Sequence, residues 1–233
     1  MIYRIADLDV KINNRFPFTD KFCKDYLVAD GERFDLEVSV SDEDLATEKK
    51  QSPDFSDGYI ENICIYRNIC NRMPAFNRFL MHCAVVEYDG KCYAFLGRSG
   101  TGKSTHTSLW LKNLPNAKIL NGDKPILLYD GESFIVYGTP WQGKERLGYN
   151  GKCKLYGLCF LEQAKKNEIT RLTVGEAADR IFTQILLPND PVTVAKTLEL
   201  CDTLIKTVPS YLLKCDISDE AFQTSFNAMS KGE

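Results

Sequence analysis

The residues best suited to chemistry lie near the middle of the chain. Gly97-Arg-Ser-Gly-Thr-Gly-Lys-Ser104 fits G-x-x-x-x-G-K-[ST] at every position. Each residue type in that pattern has a physical task. Glycines such as Gly97, Gly100 and Gly102 let the backbone turn its N–H groups inward around phosphate oxygens, with no Cβ in the way. Lys103 has the reach to meet β- and γ-phosphates, and Ser104 has a hydroxyl to offer Mg²⁺. A helix beginning here points the positive end of its dipole at the anion. The expected nucleotide contacts are Gly97, Ser99, Gly100, Thr101, Gly102, Lys103, Ser104 and Thr105.

Other residues qualify less sharply. Asn121-Gly-Asp123 follows a short apolar stretch. A carboxylate at a strand end suits a magnesium ligand or a catalytic base beside a phosphate loop, and the same tripeptide suits a tight turn. The chain has two histidines, His82 and His106, too few for a histidine-built metal cluster. Gly138-Thr-Pro-Trp-Gln-Gly-Lys-Glu-Arg146 reads as a loop. In it Trp141 is a candidate to stack on a base or cover a site, and Lys144 and Arg146 are candidates to neutralise phosphate or carboxylate charge. A solvated loop is the plainer reading.

The elements that must position these groups follow from pattern. Cys83–Tyr88 and Lys91–Leu96 flank Asp89-Gly90, a hairpin signal. The second of these strands runs into the glycine-rich loop, and Thr105–Leu114 reads as the helix after it, ended by Pro115-Asn116. Short strands are expected at Lys118–Leu120, Pro125–Tyr129 and Ser133–Tyr137, and a buried one at Leu155–Leu161. Thr173-Val-Gly-Glu176 has capping-box spacing before a helix over Ala177–Leu187. Further helices fit Val192–Thr207 and Asp219–Met229, with a strand at Tyr211–Cys215. Upstream, Phe34–Val40 alternates like a half-buried strand, and Tyr59–Met73 reads as a helix stopped by Pro74. Alternating strands and helices make the fold class α/β. Residues 1–75 form an N-terminal α+β region, and 76–233 the domain with the loop.

Composition sets the outer bounds. The 233 residues, 44% hydrophobic and 26% charged, suffice for a real core and exclude disorder and low complexity. A net charge of −3 argues against a broad nucleic-acid or membrane-surface partner. No apolar run is long enough to span a bilayer, and the N-terminus lacks a signal-peptide pattern. The nine cysteines contain no Cys-x-x-Cys pair; they read as small buried hydrophobes in a reducing, cytoplasmic compartment.

The order His82-Cys-Ala-Val-Val, Gly97–Ser104, Asn121-Gly-Asp123 resembles the HPr kinase/phosphorylase family and its relatives with a phosphoenolpyruvate carboxykinase-like nucleotide fold. The resemblance runs from about Leu80 to Lys124, and more loosely to Leu172. It implies a P-loop domain with a mixed sheet and flanking helices. By position, it makes His82 the histidine at the start of the strand two before the loop. Lys103 becomes the phosphate-binding lysine and Ser104 the magnesium-binding hydroxyl. Asp123 becomes the second aspartate of the family's pair, which accepts the substrate proton and shares the metal site. The first aspartate of the pair is Gly122 here. The family's metal-binding glutamate has no matching context; Glu145 lies in its region. The implied activity is an ATP- and Mg²⁺-dependent kinase acting on a hydroxyl of a small protein, a peptide or a metabolite, in a chain that can form homo-oligomers. The alternatives are a nucleotide-binding regulatory module without transfer and a carboxykinase-type lyase.

Overall fold

The computed structural model describes residues 1–29 and 33–230. Strands β1 (Ile2–Ile5) and β2 (Leu8–Asn13), helix α1 (Phe18–Phe22), strand β3 (Leu36–Ser39) and helices α2 (Asp42–Gln51) and α3 (Asp57–Arg72) come first. Strands β4 (Arg78–Leu80), β5 (Cys83–Tyr88) and β6 (Lys91–Leu96), helix α4 (Lys103–Asn113), then β7 (Lys118–Asn121), β8 (Ile126–Tyr129) and β9 (Phe134–Tyr137) follow. The chain closes with β10 (Lys152–Gln163), β11 (Glu168–Arg171), α5 (Val174–Ile181), α6 (Pro191–Thr207), β12 (Ser210–Cys215) and α7 (Asp219–Ser230). None of these helices is long and apolar enough to cross a membrane.

The Asp89-Gly90 signal makes the expected hairpin. Both residues take positive φ, 51° and 69°, which gives a turn whose twist matches the strands it joins. The hairpin places β5 and β6 at the heart of a nine-stranded mixed sheet ordered β4-β8-β9-β10-β6-β5-β7, with β12 on β10 and β11 on β12. The long strand β10 serves two neighbours along one edge. Its first residues, Lys152–Lys154, pair antiparallel with β9, and its last, Leu158–Gln163, pair parallel with β12. Its other edge pairs parallel with β6.

Strand β6 is buried on both faces, and its alternate side chains feed two cores. Cys92, Ala94 and Leu96 join Ala177 and Ile181 of α5 and Leu200, Cys201 and Leu204 of α6. Tyr93 and Phe95 join Trp110 of α4 and Phe222 and Met229 of α7. Helices therefore cover both faces, the layering that mixed α/β chains adopt to bury a central sheet. Strands β1–β3 form a separate three-stranded sheet. Its core (Tyr3, Ile5, Val10, Ile12, Val38) continues through Ile65 and Ile69 of α3 into Leu80, Ile126, Tyr137 and Trp141.

Two expectations are corrected. The helix expected over Ala177–Leu187 ends at Ile181. Beyond it, Ile185 forms a β-bridge with Met81, and Leu186 N–H donates to the Leu80 carbonyl at 3.3 Å. The sheet thus takes the backbone groups that further helical turns would have used. The capping box at the start of that helix does form: Thr173 N–H donates to Glu176 at 2.9 Å, and Glu176 N–H to the Thr173 hydroxyl at 3.4 Å. The second correction is Trp141. It is buried rather than presented to a ligand, packed on Tyr66 of α3 with ring centroids 4.9 Å apart.

Candidate functional site

Sheet topology gathers the candidate residues at one edge. β5 is antiparallel to β6 with Cys83 opposite Leu96, and antiparallel to β7 with Val85 opposite Asn121. β10 is parallel to β6 with Phe160 opposite Leu96. The start of β5 and the ends of β6, β7 and β10 therefore meet. His82 precedes β5, Gly97 follows β6, Asp123 lies just past β7, and Gln163 ends β10. In open α/β sheets, ligands bind beyond such strand ends.

The loop from Gly97 to Gly102 joins β6 to α4. Gly100 and Gly102 take φ of 82° and 105°, which residues with a Cβ rarely adopt. Gly102 is the N-cap of α4, so no side chain caps the first turn, and its N–H groups, which form the positive end of the helix dipole, have no partner from the N-cap residue. Thr101 braces the loop, its hydroxyl donating to the Arg98 carbonyl at 2.5 Å. Gln163 donates to the Gly100 carbonyl at 3.1 Å, and Gly97 N–H donates to Gln184 at 3.3 Å. Lys103 is buried, and its ammonium donates to the carbonyls of Gly97 at 2.7 Å and Arg98 at 3.4 Å. Burial pushes the Lys103 pKa down, helped by Lys124 and opposed by Asp123 and Cys83. Ser99, Gly100, Ser104 and Thr105 are exposed.

Asp123 faces two cationic or protonated partners. His82 Nε2 lies 3.0 Å from Oδ1, and the Lys124 ammonium pairs with Oδ2. Burial alone would raise the Asp123 pKa; the hydrogen bonds from His82 and Lys124 and the Lys124 charge outweigh it and hold the carboxyl at about 2. An ionised carboxylate only accepts, so Nε2 carries the proton in the His82–Asp123 bond. The turn itself is fixed by Asn121, whose Oδ1 accepts from the N–H groups of Asp123 at 2.9 Å and Lys124 at 2.8 Å. Asn121 in turn donates to the Thr139 hydroxyl at 3.1 Å and carbonyl at 3.2 Å. Asn121-Gly-Asp123 is thus both a tight turn and the holder of a carboxylate at the loop.

The 138–148 segment lies over this turn. A Cβ on Gly122 would come within 3.1 Å of the Gln142 carbonyl and 3.2 Å of the Leu147 carbonyl, and a Cβ on Gly143 within 3.0 Å of the Asp123 Cβ. A side chain at 122 would be crowded, and the two carbonyls of the segment above would have to give by a few tenths of an ångström to admit it. Lys144, Glu145 and Arg146 are exposed on that segment. The Arg146 guanidinium sits 5.6 Å over the Phe22 ring, beside the N-terminal layer. Among the described residues no three His, Cys, Asp or Glu side chains gather to hold a metal ion. An ion here would rely on Ser104, Asp123 and ligand oxygens.

The other histidine differs. His106 is buried in α4, its Nε2 3.0 Å from the Ser225 hydroxyl. Ser225 also receives the Trp110 indole N–H at 3.0 Å and donates to the Phe222 carbonyl at 2.9 Å.

Sequence reading missed Glu162, Gln163, Arg180 and Gln184. They come from β10, α5 and the turn beyond it, and line a cleft of about 710 Å³ with the first half of the loop. Arg180 pairs with Glu162 at 2.8 Å there. No residue spacing signals this set, because it depends on strand register and on where α5 stops.

No family model and no curated protein matches this chain. Among solved structures it is similar to the HPr(Ser) kinase/phosphatase from Coxiella burnetii, over 65% of this chain and 97% of that one, with a TM-score of 0.38 and 9% identity.

Proposed function

We propose that the protein is an ATP- and Mg²⁺-dependent kinase that phosphorylates a hydroxyl group. The observation that carries the reading is the meeting, at one sheet edge, of the glycine loop with Lys103 and the hydrogen-bonded pair His82–Asp123. The backbone of Gly97–Gly102, the uncapped start of α4 and Lys103 suit the triphosphate. The Lys103 ammonium donates to loop carbonyls, and a phosphate oxygen is a better, charged partner for it. Ser104 and Asp123 would hold Mg²⁺, which neutralises developing phosphate charge.

The acceptor oxygen attacks the γ-phosphorus, the bond to the β-bridging oxygen breaks, and ADP leaves. The acceptor proton passes to the Asp123–His82 pair. His82 and Lys124 keep Asp123 ionised, the form able both to bind a cation and to accept a proton. Phosphoryl transfer asks mainly for positioning and electrostatics, which suits a carboxylate pinned from two sides.

Asp123→Asn tests this. ATP binding should persist, and transfer to an acceptor should fall by about 10²–10⁴-fold, the usual worth of a positioned acid–base group. Normal transfer by that variant sinks the assignment. The second reading, a nucleotide-binding regulatory module, is favoured by the crowding at Gly122 that leaves a lone carboxylate. It predicts ATP affinity and no labelled product with any acceptor.

A further inference from the structure

The geometry points to the cleft on the β10 side of the glycine loop as the seat of the nucleoside half of ATP, an inference that rests on the phosphotransfer reading above. The loop has two flanks because β6 has two neighbours. On the β5–β7 flank stand His82, Asp123 and Lys124, joined through their own contacts. On the β10 flank the loop residues Gly97–Thr101 line an open cleft with Gln163, Arg180 and Thr183. Its volume of about 710 Å³ lies within the range, about 300–1,000 Å³, of sites that bury a small organic ligand.

A triphosphate is a chain with one reactive end. If that end lies by the proton-accepting pair, the rest of the molecule must leave the loop on the opposite flank, where the cleft is. The lining suits a sugar and a flat heterocycle better than a bare anion. Phe160 and Leu161 contribute apolar surface, while Glu162, Gln163 and Thr183 contribute hydrogen-bonding groups. Arg180 is engaged by Glu162 at 2.8 Å and is already partly neutralised, and Asp179 and Glu162 face the cleft together with Arg180 and Arg98. Glu162 spends one oxygen on that bond, and a carboxylate has capacity left to accept from hydroxyls. Lys144 and Arg146 stand outside this lining.

The test compares ATP with inorganic tripolyphosphate, both with Mg²⁺, by calorimetric titration of the full chain and of Thr183→Trp. Thr183 is exposed, so a large side chain there fills the cleft without entering a core. The wild type should bind ATP at least tenfold more tightly than tripolyphosphate. Thr183→Trp should weaken ATP tenfold or more and leave tripolyphosphate within about twofold, which also shows that the variant is folded. Unchanged ATP affinity, or equal loss of both ligands, overturns the inference while leaving the loop as a phosphate site. If the wild type binds neither ligand, the phosphotransfer reading falls and takes this one with it. As a second measurement, 8-azido-ATP should crosslink to residues 160–163 or 179–184. Crosslinking confined to 141–148 overturns the assignment.

Discussion

The protein has two histidines, and the structure treats them in opposite ways. His82 stands at the open sheet edge with 35% of its side chain exposed and a carboxylate 3.0 Å away. His106 is sealed between β6, α4 and α7, edge-on to Phe95, with the Ser225 hydroxyl as its hydrogen-bond partner. The apolar shell around His106 disfavours a charged imidazole. The Ser225 network even dictates the tautomer of His106. Ser225 gives its single proton to the Phe222 carbonyl, so it must accept from both Trp110 and His106, and His106 carries its proton on Nε2. Its Nδ1 is buried without a hydrogen-bond partner among the described residues. One histidine therefore stands half-exposed beside a carboxylate, and the other is a buried wedge that fixes the helix behind the loop.

The largest effect that separates the two is kinetic and belongs to the open pair: the loss of transfer in Asp123→Asn. The next is a stability effect of His106. Burial lowers its pKa from 6.5 to about 4. The unfolded chain therefore binds a proton that the folded chain refuses, so stability is full above pH 6.5 and falls as the pH drops towards 4, by roughly 3 kcal/mol. Urea denaturation at several pH values should show this slope, and His106→Gln should flatten it; an unchanged slope in that variant would mean that another group is responsible. Ser225→Ala comes third. It strands the N–H groups of Trp110 and His106 in an apolar core and should cost about 2 kcal/mol, read as a lower denaturation midpoint at neutral pH. The smallest effect is expected from His82→Ala, under about 1 kcal/mol in stability, since the imidazole is only partly buried and Asp123 keeps Lys124 as a partner. A loss as large as that of Ser225→Ala would erase the contrast between the two histidines.

Much of the central fold was readable because local chemistry and tertiary need agree there. Asp89-Gly90, the glycine loop and the cap at Thr173 each act within a few residues of chain. Eight of the nine cysteines are free and buried, as their apolar neighbours suggested. The first hairpin, β1–β2, was invisible for the converse reason. Its turn residues Ala6 and Asp7 both take positive φ, 52° and 59°, and alanine is no marker for that geometry. The end of α5 was misplaced because the apolar run through Leu187 keeps a helical look while β4 claims its backbone. At the site, His82, Lys103 and Asp123 could be picked out from sequence. Their meeting, and the second flank with Glu162, Gln163 and Arg180, follow from strand register, which no short stretch of sequence encodes.

The 138–148 segment has one more consequence. It rests on Asp123 through Gly143, yet two of its large side chains lie against the N-terminal layer, Trp141 on Tyr66 and Arg146 on Phe22. The roof of the candidate site is thus held up by walls that belong to a different stretch of chain. A polypeptide begun at residue 76 would keep every motif residue and lose the supports of that roof. The smallest unit that keeps the candidate site intact is then larger than the smallest motif-bearing unit, and Phe22 and Tyr66 are part of the architecture of the site.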